Sequence, residues 1–150
     1  MTPRKTGNPV RRKEPEFQMQ AAVFEWARIP SVQAQHPALA LLEGSMNGVK
    51  LTAAQAGKAK AAGMLKGSHD IRLPVARHGR IGLSIELKAG KNKPTAEQID
   101  YGNKLIAEGW RVVFVWDDWL RVKAEILDYL AGRAASRCHV CGGSVSAPCP

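Results

Sequence analysis

The sequence predicts an α/β domain in which a mixed β-sheet is flanked by α-helices. Residues 70–75 and 81–89 alternate between apolar and polar side chains around a Gly-containing turn, a pattern typical of an antiparallel hairpin. Residues 111–116 are apolar and β-branched, which indicates a strand buried on both faces. A helical segment separates the hairpin from this strand, so a right-handed crossover should lay the strand parallel to a neighbour.

The first predicted helix covers residues 15–28. Pro15 suits the first position of a helix, and Phe17, Ala21 and Phe24 recur at helical spacing. A second apolar side is formed by Met19, Val23 and Trp26. We therefore expect this helix to be well buried.

The remaining elements are predicted from local start and stop signals. Pro30 and Pro37 mark a loop, and the short apolar segment 38–42 is either a strand, which we favour, or a helical stub. Three further helices begin at capping residues and stop at glycines. Their predicted bounds are 52–62, 95–108 and, from a cap at Asp117 or Asp118, as far as residue 131.

Charge and composition indicate the class of partner. The 150-residue chain has a net charge of +9 and an isoelectric point near 9.8, so its field attracts phosphate polyanions, with nucleic acid foremost. No apolar run approaches the ~20 residues of a membrane span, and no apolar stretch follows the basic start, which argues against a secretory signal. We therefore expect one domain with tails, no membrane partner and a cytoplasmic location.

Residues 1–14 are predicted to be a basic arm that is disordered on its own. Arg11, Arg12 and Lys13 within it are candidates for salt-sensitive contacts to DNA phosphates. A solubilising tail is the alternative, because basic arms are common.

The hairpin carries the candidate chemical site. Asp70 stands at the head of one strand, and Glu86 and Lys88 lie on one face of the next. Two carboxylates that converge on a basic partner are a signature of a catalytic metal site. An acid-x-Lys triplet occurs about once by chance in a chain of this composition, so the strand context carries the prediction. The alternative is a half-solvated hairpin whose polar face meets water.

Motifs in a characteristic order accompany this pair: Glu16 with Gln20, Asn47-Gly48, Gly67-x-x-Asp70, Glu86-x-Lys88 and Gln98. With them, residues 16–130 resemble the VRR-NUC branch of the PD-(D/E)xK nuclease superfamily, including its small stand-alone phage and bacterial members. The resemblance implies a restriction-endonuclease-like core, a nuclease domain over 15–132, and activity as a Mg²⁺- or Mn²⁺-dependent endonuclease on DNA. His69 departs from the family pattern, because the superfamily name expects Pro there, and this affects only the local backbone.

The resemblance also implies a substrate and an assembly. Small family members act on branched DNA such as Holliday junctions, and paired incisions in a four-way junction need two sites related by a two-fold axis, hence a homodimer. Two rivals stay open: a nuclease for flaps, ends or RNA, and a non-catalytic, regulatory nucleic-acid-binding module.

Each residue of the hairpin site has an expected role. Asp70 and Glu86 suit Mg²⁺, which prefers oxygen ligands, and the backbone carbonyl of Leu87 between the two strand side chains is a further ligand candidate. Lys88 would stabilise the nucleophile and the charge that develops on the phosphate.

Three helix residues have two interpretations each. The resemblance implies that Glu16 completes the metal site or holds a second ion, and that Gln20 orients it, although an acid in the first turn also stabilises the helix dipole. For Gln98 it implies a contact to phosphate or water at a helix N-terminus. Gln98 also completes a capping box with Thr95, and we expect these two uses to exclude each other.

Several basic residues and His69 are less specific. Arg77, Arg80, Lys91 and Lys93 are candidates for phosphate contacts that position DNA, or form an ordinary solvated rim. His69 is a candidate for orienting a ligand or moving a proton, or is a bystander.

The tail, 133–150, contains Cys138, Cys141 and Cys149 in a spacing that suggests half a zinc knuckle. Structural zinc normally takes four protein ligands, so a zinc ion here needs a further ligand, and free thiols are the alternative.

Overall fold

The computed structural model describes residues 14–47 and 49–133, and these form one mixed sheet with helices around it. In chain order the elements are α1 (Pro15–Ala27), α2 (Pro30–Gln35), a 3₁₀ helix (Pro37–Leu41), β1 (Glu43–Gly44), α3 (Ala53–Ala61), β2 (Ile71–Leu73), β3 (Leu83–Lys88), α4 (Ala96–Ala107), β4 (Arg111–Trp116) and α5 (Trp119–Ala131). The predicted α/β architecture is confirmed.

The four strands lie in the order β1-β2-β3-β4. β2 and β3 are antiparallel with Ile71 opposite Ile85, and β4 runs parallel to β3 with Val113 beside Ile85. The hairpin turns at His78 and Gly79, whose φ values of 48° and 79° are those of a turn with two left-handed central residues. Helix α4 makes the crossover to β4, as predicted.

Different helices meet the two faces of the sheet. α1 and α5 pack on each other and on β3. α4 lies on the other face, where a Cβ at Gly102 would come within 3.1 Å of His69 and 3.3 Å of Val112. Because Val112 is the register partner of Ser84, α4 covers the face that also carries Glu86 and Lys88. The polar row of β3 is therefore buried.

Three local predictions were wrong. Segment 38–42 is mostly the 3₁₀ helix, which has Pro37 at its start, and α2 precedes it in the predicted loop. The strand in this region is β1, two residues that pair with β2 and are too short to show alternation.

The predicted apolar row of Phe17, Ala21 and Phe24 is not the buried side of α1, because Phe17 is 60% exposed. The buried residues of this helix are Met19, Val23, Trp26 and Ala27.

In the part of the chain that the structure describes, no helix combines the length and apolar character needed to cross a membrane.

Candidate active site

The hairpin register brings Asp70 beside the end of β3. The backbone N–H of Leu87 donates a 2.8 Å hydrogen bond to Asp70 Oδ2, and the N–H of Ser45 donates a 2.7 Å bond to the Asp70 carbonyl. Gly67, with φ of +87°, lets the preceding loop approach α4, because a Cβ there would lie 2.6 Å from the Glu97 carbonyl carbon. The Gly67-x-x-Asp70 motif is therefore a backbone device that places the carboxylate.

Glu86 is only 2% exposed, and one of its oxygens is tightly held. Lys88 Nζ lies 2.8 Å from Glu86 Oε1, and Gln98 Nε2 donates a second hydrogen bond to the same oxygen. Among the described residues Glu86 Oε2 has no hydrogen-bond partner, although it is buried. A buried carboxylate oxygen without a partner is energetically unfavourable, and a proton, a water molecule or a cation would each relieve it.

The pKa values of both acids of the site are raised, and burial is the largest cause. Burial raises the pKa of Glu86 from 4.5 to about 8, repulsion from Asp70 adds to the increase, and Lys88 only partly opposes it. Burial also raises the pKa of Asp70, while the Leu87 hydrogen bond and Lys88 oppose that change. Two adjacent carboxylates in a dry site ionise together only when extra positive charge is present.

The donor set fits a hard divalent cation. Asp70 and Glu86 supply carboxylate oxygens. The Leu87 N–H points toward Asp70, and N–H and C=O of one strand residue point toward the same neighbour, so the Leu87 carbonyl faces the same side. Within residues 14–47 and 49–133 no three His, Cys, Asp or Glu side chains form a metal-binding group, so Glu16 does not join Asp70 and Glu86 in a set of three ligands.

Glu16 and Gln20 contact the edge of this site from α1. Glu16 Oε1 accepts hydrogen bonds from Ala89 N (3.2 Å) and Asn92 Nδ2 (3.3 Å). Burial contributes most to the raised pKa of Asp70 and of Glu86, and the charge of Glu16 adds to both. Glu16 therefore lies close to the two acids.

Gln20 bonds to backbone and not to the predicted partner, Glu16. Its Nε2 donates to the carbonyls of Asp70 (3.4 Å) and Ser45 (3.5 Å). Gly44 leaves room for this, because a Cβ there would come within 2.6 Å of Gln20 Nε2. Gln20 therefore supports the backbone of Asp70.

Gln98 caps its helix and contacts the site at the same time. Its Oε1 accepts from Thr95 N at 2.9 Å, completing the capping box, while its Nε2 donates to Glu86. The amide divides its two ends between the cap and Glu86. The contact of Gln98 to phosphate or water stays a prediction.

His69 is a buried connector between β3 and α4. Its Nδ1 lies 2.8 Å from Ser84 Oγ and its Nε2 lies 2.9 Å from the Gln98 carbonyl. Burial lowers the pKa of His69 from 6.5 to about 4, so the ring is neutral near pH 7. It fastens the first turn of α4, which carries Gln98, and is not exposed for proton transfer.

The sequence prediction missed two positioning residues. Asn92 donates to Glu16 and accepts from Trp116 Nε1 through its carbonyl, and its only sequence signal is its place between Lys91 and Lys93. Asn47, predicted as a turn residue, donates through Nδ2 to the carbonyls of Leu65 and Ser68 and so ties two loops near Asp70 together.

The basic candidates that the structure describes form two groups. Lys91 and Lys93 are exposed on the loop after Lys88, beside the site. Arg77 and Arg80 flank the hairpin turn at the other end of β3, roughly 20 Å from Glu86 at ~3.3 Å per residue. The other residues singled out from the sequence lie outside the described residues. They are the basic Arg11, Arg12 and Lys13, the motif glycine Gly48, and Cys138, Cys141 and Cys149.

Comparison with known proteins identifies the fold. No protein-family model and no curated protein sequence matches the chain. A solved structure of a VRR_NUC domain protein does match, with a TM-score of 0.63 and 24% sequence identity over 79% of this chain and 90% of that one. This likeness supports the resemblance that the motifs carry. The described chain therefore has the fold of a VRR_NUC domain, an α/β restriction-endonuclease-like core.

Proposed function

We propose that this protein is a divalent-metal-dependent endonuclease that hydrolyses DNA phosphodiester bonds. One observation carries the proposal: a buried pair of carboxylates, Asp70 and Glu86, stands beside Lys88 with one buried oxygen that lacks a partner among the described residues. Protein folding gains nothing from this arrangement, whereas a cation site requires it.

The residues of this chain have defined tasks in that reaction. Asp70, Glu86 and the Leu87 carbonyl would hold Mg²⁺ or Mn²⁺, with Glu16 beside them for a second ion. When bound, the ion polarises the scissile phosphate and lowers the pKa of the attacking water. Gln98 and Lys88 together hold Glu86 in place from one side, which leaves its second oxygen directed away from them.

Lys88 supplies the fixed positive charge. Its ammonium is buried against Glu86 and lies on the same strand face, so it borders the space that a phosphate bound at the carboxylates occupies. There it stabilises the negative charge that develops on the phosphate and favours the deprotonated nucleophile. The exposed Lys91 and Lys93 hold the flanking backbone through phosphate contacts that carry no sequence information.

We further propose branched DNA, such as a four-way junction, as the substrate and a homodimer as the active assembly. The net charge of +9 supports a polyanionic partner. Light scattering of the purified full chain tests the assembly, and a strict monomer would count against paired incision. Zinc held by Cys138, Cys141 and Cys149 is a separate proposal, tested by the metal content of the chain before and after their replacement by serine.

A cleavage panel tests the activity. The full chain is incubated with duplex, flap, single-stranded, four-way-junction and RNA substrates, with Mg²⁺, with Mn²⁺ and with a chelator. We expect metal-dependent cleavage that Glu86→Gln abolishes while DNA binding persists. Asp100→Asn, which alters an exposed carboxylate on α4, is the matched control and should cleave normally. Binding without cleavage of any substrate would favour the non-catalytic module instead.

A further inference from the structure

A cavity of about 280 Å³ opens beside the carboxylates, between the start of α1 and the loop that follows β1. Asp70 and Glu16 form part of its wall, so it is continuous with the proposed catalytic site. The other wall is apolar and consists of Pro15, Phe17, Met46 and Val49.

These apolar side chains are exposed, and they lie close together. Phe17 is 60% exposed, Met46 63% and Val49 41%, and all three border this one opening. Large exposed apolar groups that gather around a concave site mark a binding surface for an apolar or aromatic ligand. Helical spacing predicted that Phe17 joins the core, whereas the structure places it at this cavity.

The charges around the cavity decide what kind of group it takes. Three carboxylates line it, those of Glu14, Glu16 and Asp70, against one ammonium group, that of Lys50. Glu16 and Asp70 are the side chains proposed to hold the metal, so the charges left for the rest of the cavity are those of Glu14 and Lys50, which offset each other. A neutral aromatic ring suits this lining and gains apolar contact with Phe17.

We propose that this cavity is a nucleobase subsite that receives one unpaired base adjacent to the scissile phosphate, stacked on Phe17. The inference rests on the proposed nuclease function and adds a source of substrate preference to it. A cavity of this size lies near the lower end of the ~300–1,000 Å³ of small-ligand pockets, so one base fits and a base pair does not. Extruding a base costs least when it is already unpaired, so the subsite favours DNA with unpaired nucleotides beside the cleavage point.

Cleavage by Phe17 variants tests the subsite. Once the cleavage position is mapped, substrates carry one unpaired nucleotide immediately 5′ or 3′ of it, or none. We expect Phe17→Ala to slow cleavage of the better unpaired substrate roughly 5- to 150-fold, the range for losing one base–aromatic stack, and to leave the paired substrate unchanged. Phe17→Trp should preserve the preference. Ile81→Ala, which removes a similarly exposed apolar side chain at the far end of the hairpin, should change neither substrate.

A binding measurement separates failure of this inference from failure of the nuclease proposal. Single-stranded DNA with one 2-aminopurine is bound to the full chain carrying Glu86→Gln, with and without Phe17→Ala. We expect quenching of 2-aminopurine fluorescence that depends on Phe17. Cleavage by the wild type with equal effects of Phe17→Ala on both substrates, and quenching that is independent of Phe17, would overturn the subsite alone. Absence of any cleavage would overturn the nuclease, and the fluorescence result would still decide whether the cavity binds a base.

Discussion

Two buried charge clusters lie at opposite ends of the same sheet, and they are balanced in different ways. The carboxylate cluster, Asp70, Glu86 and Lys88, holds two acids and one base at the carboxyl end of β3. The arginine cluster, Arg111, Arg121 and Glu125, holds one acid between two bases near the start of β4, with Glu125 3.6 Å from Arg111 Nη2 and 3.5 Å from Arg121 Nε.

The clusters differ in the charge that balances the buried acid. In the arginine cluster the protein supplies the countercharge for its buried acid, and Arg111 also donates to the Arg133 carbonyl at 2.7 Å. In the carboxylate cluster burial and then repulsion from Asp70 raise the pKa of Glu86 to about 8, and the one base, Lys88, only partly opposes this change. Burial of charge alone is therefore no sign of function, whereas an uncompensated acid beside a cavity is one.

Neutralising one acid in each cluster is the most direct test of whether the two clusters differ. Glu86→Gln should reduce cleavage by at least roughly 10²–10³-fold, measured as single-turnover rate on the preferred DNA. It should change the free energy of unfolding little at pH 7, because burial already favours the neutral form. Glu125→Gln should destabilise the fold by about 3–5 kcal/mol, since it leaves Arg111 with its closest countercharge removed. Denaturant unfolding of both variants that gave equal losses of stability would show that the clusters do not differ.

The next test uses pH and metal on the unmodified chain. A carboxyl group whose pKa is raised on folding keeps a proton that the unfolded chain releases, so stability falls as pH rises from about 4.5 to about 8. The loss should reach a few kcal/mol, at most about 1.4 kcal/mol per pH unit for this group.

Thermal unfolding in chelator, between pH 5 and pH 8.5, checks this expectation. Millimolar Mg²⁺ should restore stability at the upper end of the range, because the cation binds the ionised pair. Glu86→Gln should flatten the pH dependence. A wild-type protein whose unfolding temperature is independent of both pH and Mg²⁺ would contradict the assignment of a cation site.

The chain offers a matched pair for the contribution of Gln98. Thr95 with Gln98 and Thr52 with Gln55 form equivalent capping boxes, on α4 and α3 respectively, and only the first contacts Glu86. Gln98→Ala and Gln55→Ala should each destabilise the protein by about 0.5–1.5 kcal/mol, because the backbone N–H of the N-cap Thr loses its hydrogen-bond partner. Only Gln98→Ala should also lower the cleavage rate, by about tenfold, because Glu86 loses a hydrogen bond that orients it. Equal cleavage rates in the two variants would show that Gln98 acts only as a helix cap.

The smallest expected effect concerns the basic residues at the two ends, where Lys91 and Lys93 are exposed and Arg77 and Arg80 are half-buried. Lys91→Ala and Lys93→Ala should each reduce the salt dependence of DNA affinity, lowering the slope of log K against log salt by about 0.9 per phosphate contact. Arg77→Ala and Arg80→Ala, near the arginine cluster, provide the comparison in the same titration. If all four variants lower the slope equally, the DNA spans both ends of the sheet.

Local patterns were sufficient for the centre of the site. Alternation along 70–75 and 81–89 assigns each side chain to a face, and the short turn at Gly79 leaves one register that buries the apolar row. Asp70 must then lie beside Glu86, and Glu86 precedes Lys88 by two residues on the same strand. These relations involve neighbours in sequence or across one hairpin, so no distant contact is needed to predict them.

Residues whose partners lie far away in sequence were predicted less well. Gln20 bonds to Asp70 and Ser45, 50 and 25 residues away, and His69 bonds to Gln98, 29 residues away. Their roles depend on how α1 and α4 dock on the sheet, which no local period encodes. Phe17 has the spacing of a core residue, yet the packing of α1 on α5 and β3 turns it toward the cavity.

The sequence by itself therefore determined α1, α3, α4 and α5, the hairpin, the crossover strand β4 and the identity of the two acids and the lysine, because period, turns and caps are local. Only the tertiary structure decided which acid lacks compensation, that His69 is neutral and buried, that Gln98 serves helix and site together, and that an apolar cavity adjoins the carboxylates. Those properties arise from desolvation and from contacts between distant segments, and both exist only once the chain has packed.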